Sequence, residues 1–264
     1  MDLKVHNKTA LVTGSTAGIG FAIAQLLAEE GATVVINGRT PERVADAIKK
    51  IKSSYPAAKL ISAPADLSDK KGIDAVIEQI PVVDILVNNF GIYEVKQFND
   101  ISDDDWLRLF NANVMSGIRL CRHYLNNMFT KNWGRVIFIS SESGLQVPVE
   151  MIHYGMTKTA QLAVSRGLAE MTIGTNVTVN SILPGPTSTE GVKEFIISAS
   201  KEQKKTPKQV ESELFTTMRP SSLLQRFAAP EEVATMVAFL CSPLSSATNG
   251  AAVRVEGGII RAIA

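Results

Sequence analysis

Apolar and polar positions along this chain fall into short blocks that predict strands alternating with helices. Residues 9–13 (TALVT) make a brief β-rich apolar run, a glycine-punctuated turn follows, and residues 19–29 carry an apolar-rich helical pattern that Gly31 ends. Residues 33–36 (TVVI) predict a second strand, 41–52 a helix with Pro41 at its first turn, and 60–63 a third strand. The series continues with a helix over 70–79, a strand over 85–87, a long helical region over 102–129, a strand over 135–139 and a helix over 151–171. Strand 177–182, helix 230–240 and strand 252–255 complete it, just ahead of Gly257 and Gly258. Parallel neighbours need crossover connections, so this alternation implies an α/β fold, a doubly wound parallel sheet of about seven strands with helices on both faces. The one shift in composition lies over residues 190–225, where Lys, Glu, Gln, Ser and Thr crowd a connection longer than usual. It reads as a long loop, either a lid over a site or a surface insertion.

A chain of 264 residues, 45% hydrophobic and without internal repeat, low-complexity tract or linker, is expected to form one domain over 1–264. Lys+Arg 27 against Asp+Glu 26 leave a formal charge of +1, which provides no field to draw in nucleic acid or an anionic membrane. A small-molecule partner is expected instead. Cys121 and Cys241 sit in apolar helical patterns and read as two buried free thiols. The first eight residues are polar and charged, and no run reaches the length of a membrane span, so the expected location is the cytoplasm.

Candidate chemistry begins in the turn after the first strand. Thr13-Gly14-Ser15-Thr16-Ala17-Gly18-Ile19-Gly20 stands where glycines let backbone approach a pyrophosphate and a helix N-terminus favours its charge. The spacing is Gly-x-x-x-Gly-x-Gly, which a glycine-rich structural turn also satisfies. At the end of the second strand, Ile36-Asn37-Gly38-Arg39 has no carboxylate to bond the adenine ribose of NAD, and an arginine there suits a 2′-phosphate. The same arginine also fits a solvated turn. Tyr154 and Lys158 are four residues apart in a predicted helix and share a face. A neighbouring cation would favour phenolate and bring the tyrosine toward a useful acid/base range, although such a pair is common on helix surfaces.

Further pieces fall in order along the chain: Asn88-Asn89-Phe90-Gly91 after the fourth strand, Asn113 in the long helical region and Ser140-Ser141 after the fifth strand. Pro184-Gly185 follows the sixth, and VRVEGG (253–258) closes the series. With the glycine loop and YGMTK, they resemble the short-chain dehydrogenase/reductase family, in particular its 3-oxoacyl-(acyl-carrier-protein) reductases. The resemblance implies a Rossmann-type fold and hydride transfer between a nicotinamide and a carbonyl/alcohol pair. By that resemblance Ser141, thirteen residues before Tyr154, and not Ser140, hydrogen-bonds the substrate oxygen. Tyr154 exchanges its proton, Lys158 lowers the tyrosine pKa and holds the nicotinamide ribose, and Asn113 anchors a water in a proton relay. The cofactor would meet Gly14, Ser15, Thr16, Gly18, Ile19 and Gly20 of the loop, together with Arg39. It would meet Asp66 and Leu67 by the adenine, Asn89 and Gly91 by the adjoining ribose, Pro184 and Gly185, and Thr187 or Thr189 near the carboxamide or phosphates. NADP(H) is the favoured cofactor and NAD(H) the alternative. Dimers or tetramers paired through 102–129 and 151–171 are implied as well, although a single core-facing side explains the same apolar faces.

Two positions depart from the family pattern: Phe90 replaces its usual alanine, and Thr16-Ala17 replaces the basic residue often found in the glycine loop of NADP-preferring members. His153, about 100° around the helix from Tyr154, is expected to be a satisfied structural histidine, and His6 and His123 carry no role. No metal site is expected, since no His, Cys, Asp or Glu trio shows ligand spacing. Glu142 and Glu150 fit either the substrate mouth or solvent, and alternating Leu145, Val147, Val149 and Met151 hint at an apolar wall. Three functions fit these residues: a reductase of ketones or 3-oxoacyl groups, an NAD-dependent dehydrogenase of a secondary alcohol, sugar or steroid, and a non-catalytic dinucleotide sensor or scaffold.

Overall fold

The computed structural model describes residues 2–263. Seven strands, β1 (Thr9–Val12), β2 (Thr33–Gly38), β3 (Lys59–Pro64), β4 (Ile85–Asn88), β5 (Gly134–Ile139), β6 (Val177–Pro184) and β7 (Ala252–Val255), pair in parallel in the order β3-β2-β1-β4-β5-β6-β7. The inner strands β1, β2, β4, β5 and β6 are buried on both faces, and their alternate residues serve opposite cores. Ala10, Val12, Val34 and Ile36 pack under one helical layer, while Leu11 and Val35 pack under the other.

The first layer contains α1 (Gly18–Glu29), α2 (Pro41–Ser54) and α9 (Pro230–Cys241). The second contains α3 (Lys70–Gln79), α5 (Ser116–Thr130) and α6 (Ile152–Glu170). Their starts follow local chemistry. Thr40 accepts from the Arg43 amide ahead of Pro41, Asp69 caps α3, and Ser102 with Asp105 forms a capping box on α4 (Asp103–Phe110). Strand order reverses between β1 and β4, which opens a crevice at the carboxyl ends of the strands.

The helical region expected over 102–129 is helical without a break from Asp103 to Thr130, but a wide π turn at Asn111–Met115 between α4 and α5 displays Asn113. One expectation needs correction: residues 190–225 are not a long loop. They hold α7 (Glu190–Glu202), α8 (Pro207–Glu213) and a π turn at Leu214–Met218. Thr189 caps α7, and Thr206-Pro207 with Gln209 makes a capping box on α8, signals that outweigh the polar composition. Ile196, Ala199 and Val210 supply a small core of their own.

Cys121 and Cys241 are buried free thiols, and burial pushes both to about 12. Among the described residues no helix is long and apolar enough to cross a membrane, and no group of three or more His, Cys, Asp or Glu is placed to hold a metal ion.

Candidate active site

The glycine loop is tied to its neighbours before anything binds. Thr13 Oγ1 accepts from the Asn89 and Phe90 amides, both at 2.9 Å, and Asn89 Nδ2 donates to the carbonyls of Thr13 (2.9 Å) and Gly14 (3.1 Å). Ser15 is fully buried, and its hydroxyl accepts from the Asn37 amide at 2.9 Å. A Cβ on Gly20 would lie 2.4 Å from both Asn89 Nδ2 and the Gly14 oxygen, so only glycine fits there. Ser15, Gly20 and Asn89 therefore build the loop, while Gly14, at φ +61°, and Thr16 line the cleft outside it.

That cleft, of about 460 Å³, runs past Gly38, Arg39, Asp66 and Gly91. Arg43, from the first turn of α2, also lines it, so two guanidinium side chains border the end of β2. Phe90 lies against the second core and borders the same cleft. Leu67 is buried in that core, and its side chain does not reach the cleft.

A second compartment, sharing Gly91 and Ile92 with the first, brings together Ile19, Asn89, Ser141, Tyr154, Lys158, Pro184, Gly185, Thr187 and Thr189. Ser140 donates to the Lys158 carbonyl (2.9 Å) and fastens α6 to the end of β5, leaving Ser141 to face the cavity. Lys158 Nζ donates to the Ile139 carbonyl (2.9 Å) and to Gln161 Oε1 (3.2 Å), and sits 5.5 Å from the centre of the Tyr154 ring. Gln161 Nε2 in turn donates to the Asn113 carbonyl at 2.6 Å. The Asn113 side chain is held by the Ile92 backbone and by Thr157.

The expected lowering of the tyrosine by its lysine is not the balance in this structure. Burial raises the Tyr154 pKa, the nearby Glu142 carboxylate raises it further, and hydrogen bonding with Ser141 only opposes them, so the phenol holds its proton. Burial also lowers Lys158, to about 7, against the pull of Glu142. Between there and the ordinary 10.5 the unfolded chain holds a proton that the folded chain has released. Stability therefore rises with pH across that window, by up to about 1.4 kcal/mol per pH unit from this group. Urea titrations of wild type and Lys158→Met at about pH 7.5 and about pH 9 check this: the variant's stability rises less with pH.

Beyond Tyr154 lies a third cavity of about 280 Å³, bordered by Ser141, Glu142, Tyr93, Val95, Met151 and Phe227 and roofed by Val192, Phe195, Leu214, Met218 and Arg219. Glu142 is buried, accepts from the Ser141 hydroxyl (2.5 Å) and faces Arg219 Nε at 3.5 Å, while Arg219 Nη1 meets Glu150 at 3.4 Å. The alternating wall expected over Leu145 to Met151 does not form: Leu145, Val147 and Val149 are exposed, and only Glu150 and Met151 of that stretch line the cavity. His153 is buried but not satisfied. Neither ring nitrogen has a hydrogen-bond partner, the ring packs edge-on to Trp106, and Glu94 stays 3.8 Å away.

The sequence model for the family described as short chain dehydrogenase matches residues 8–198. The chain belongs to the short-chain dehydrogenase family. An oxidoreductase of Bacillus subtilis (strain 168), YvaG, is 51% identical over 263 residues, with 100% of both chains covered. The 3-oxoacyl-(acyl-carrier-protein) reductase FabG of Aquifex aeolicus (strain VF5) is 34% identical over 98% of this chain and 100% of its own. Among solved structures, L-sorbose reductase from Gluconobacter frateurii complexed with NADPH and L-sorbose superposes with a TM-score of 0.94 at 30% identity, covering 100% of both chains. Membership makes the chain an oxidoreductase acting between alcohol and carbonyl carbons.

Three side chains of this short-chain dehydrogenase escaped the sequence reading. Arg43 was visible as a second arginine four positions after Arg39, in the first turn of a helix. Gln161 sits one turn beyond Lys158 on the same helix face, a spacing that flags it. Nothing local marks Arg219, which reaches the cavity only because α7 and α8 fold over it.

Proposed function

We propose that this short-chain dehydrogenase reduces a ketone with NADPH, using Tyr154 as general acid. The observation that carries this reading is the convergence of Ser141, Tyr154 and Lys158 on one compartment between a glycine-lined cleft and an apolar cavity. The cleft fits a dinucleotide: Gly14 and Thr16 of the glycine loop line it, and Arg39 and Arg43 border it at the end of β2, where a 2′-phosphate would lie. Arg39, Asp66 and Gly91 would hold the adenosine half, and Lys158, Pro184, Gly185, Thr187 and Thr189 the nicotinamide half. When bound, the nicotinamide supplies hydride. Ser141 donates a hydrogen bond to the substrate oxygen, and Tyr154, kept protonated by burial and by Glu142, delivers the proton as charge develops there. Lys158 positions the cofactor and, with Gln161 and the Asn113 carbonyl, forms the polar chain behind the tyrosine. The reductase names of the FabG relative and of the L-sorbose reductase support the reducing direction.

In this reading residues 1–264 work as one cytoplasmic unit and segment 190–225 covers the substrate. Loss of NADPH absorbance on adding simple ketones tests the assignment. Turnover with ketones and NADPH supports it, and turnover confined to alcohols with NAD overturns it. Two copies pair through α5 and α6, where Ile118, Leu125, Phe129, Val164, Leu168 and Met171 line a groove of about 310 Å³. Light scattering after size-exclusion chromatography gives a dimer or tetramer mass, and a monomer at micromolar concentration overturns the pairing.

A further inference from the structure

The substrate cavity is apolar over most of its wall, with Val95, Met151, Phe195 and Phe227 among its lining. Its polar groups concentrate at one end, beside Ser141 and Tyr154. There the chain places an acceptor where a simple reductase needs none: Glu142, in the short turn directly after Ser141, is only 6% exposed. Burying a carboxylate is costly unless hydrogen bonds and opposite charge offset it. Glu142 receives one short bond, from the Ser141 hydroxyl, and otherwise faces Arg219 Nε across 3.5 Å. Arg219 is shared with Glu150, so two carboxylates stand against one guanidinium. An ionised carboxylate has about four acceptor positions, and these contacts leave it under-used on the cavity side.

We propose that Glu142, steadied by Arg219, is a substrate-binding residue that selects neutral ketones carrying a hydroxyl on the carbon next to the carbonyl. This rests on the reading above, in which Ser141 and Tyr154 hold the carbonyl oxygen. Both of those groups donate, while the adjoining residue accepts only. A ligand that satisfies all three carries an acceptor and, one carbon away, a donor. An α-hydroxyketone has that pattern. A 3-oxoacyl thioester has acceptors on both sides of a methylene and offers Glu142 nothing, and a carboxylate or phosphate meets the excess negative charge. An ammonium is disfavoured by Arg219 on the same carboxylate. The hydroxyl acts on chemistry as well as binding. By donating to Glu142 it replaces Ser141 as the partner of that carboxylate and frees the serine hydroxyl for the carbonyl oxygen. The hydroxyl itself is unchanged. Hydride adds to the carbonyl carbon, the Tyr154 proton goes to the oxygen, and a vicinal diol and oxidised nicotinamide result.

The test compares hydroxyacetone with butanone, in which a methyl stands in place of the hydroxyl, as substrates for NADPH-dependent reduction by wild type, Glu142→Gln and Glu142→Ala. Wild type favours hydroxyacetone in kcat/KM, and that preference falls roughly 10- to 100-fold in Glu142→Ala, as when a charged acceptor loses its ligand donor. Glu142→Gln, nearly the same shape, retains an intermediate preference. The ratio of two substrates in one variant does not respond to a general loss of folded enzyme, and NADPH fluorescence confirms that each variant binds dinucleotide. A ratio unchanged in both variants overturns the assignment and leaves the reductase reading standing. A wild type that binds NADPH and reduces neither ketone overturns both.

Discussion

Tyr154→Phe lowers kcat for ketone reduction about a thousand-fold and leaves NADPH binding within about two-fold, as expected when a positioned general acid is removed without disturbing the site. The ring stays where it is: it packs edge-on to Tyr93 at 6.4 Å and is followed on α6 by Lys158, whose Nζ is fastened to the Ile139 carbonyl and Gln161. What the variant loses is one proton at one oxygen. The Ser141 hydroxyl remains to polarise the substrate, which is why residual turnover is expected. Steady-state loss of NADPH absorbance, with binding followed by nicotinamide fluorescence, measures both quantities. Full turnover in Tyr154→Phe would remove the tyrosine from the mechanism and point to solvent or another side chain as the acid.

Arg39→Asp weakens NADPH binding by about 100-fold and leaves NADH binding unchanged or improved. A charge-assisted hydrogen bond to phosphate contributes about 1.5–3 kcal/mol, or roughly one to two powers of ten, and the new carboxylate adds repulsion. The geometry around the arginine supports a phosphate seat. A Cβ on Gly38 would lie 2.4 Å from the Thr16 methyl, so β2 ends bare against the glycine loop, and Arg39 and Arg43 border the opening. Arg43→Ala, which removes a cation without adding an anion, costs less, about ten-fold. Fluorescence titration with both nucleotides decides. Tighter NADH binding by wild type would remove the phosphate argument and turn the search for substrates toward alcohol oxidation with NAD.

Much of this is local and so was legible in the residues. The strand–turn–helix at Thr13–Gly20 follows from an apolar run, glycines and an apolar helical pattern within a short span, and the tyrosine and lysine of α6 follow from helical spacing. The π turn at Asn111–Met115 was not legible, because its residues suit an ordinary helix and the widening shows only against packed neighbours. In segment 190–225, overall composition spoke for a loop while Thr206-Pro207-x-Gln209 spoke for a helix start, and the capping chemistry prevailed. His153 shows the opposite limit. Its place on the helix follows from counting, but whether its nitrogens find partners depends on Trp106 and Glu94, which come from other segments.

The sequence by itself determined the seven-strand alternation and the glycine loop, because periodicity and glycine geometry act over a few residues. Only the tertiary structure decided how the side chains of the candidate site are tuned and what they face. Burial and the Glu142 carboxylate keep Tyr154 protonated, Gln161 joins Lys158 to the Asn113 carbonyl, and Arg219 arrives over the cavity from a helical cover. Desolvation and charge–charge coupling depend on distances between groups far apart in the chain, and those distances exist only once the sheet, α6 and the cover are packed together.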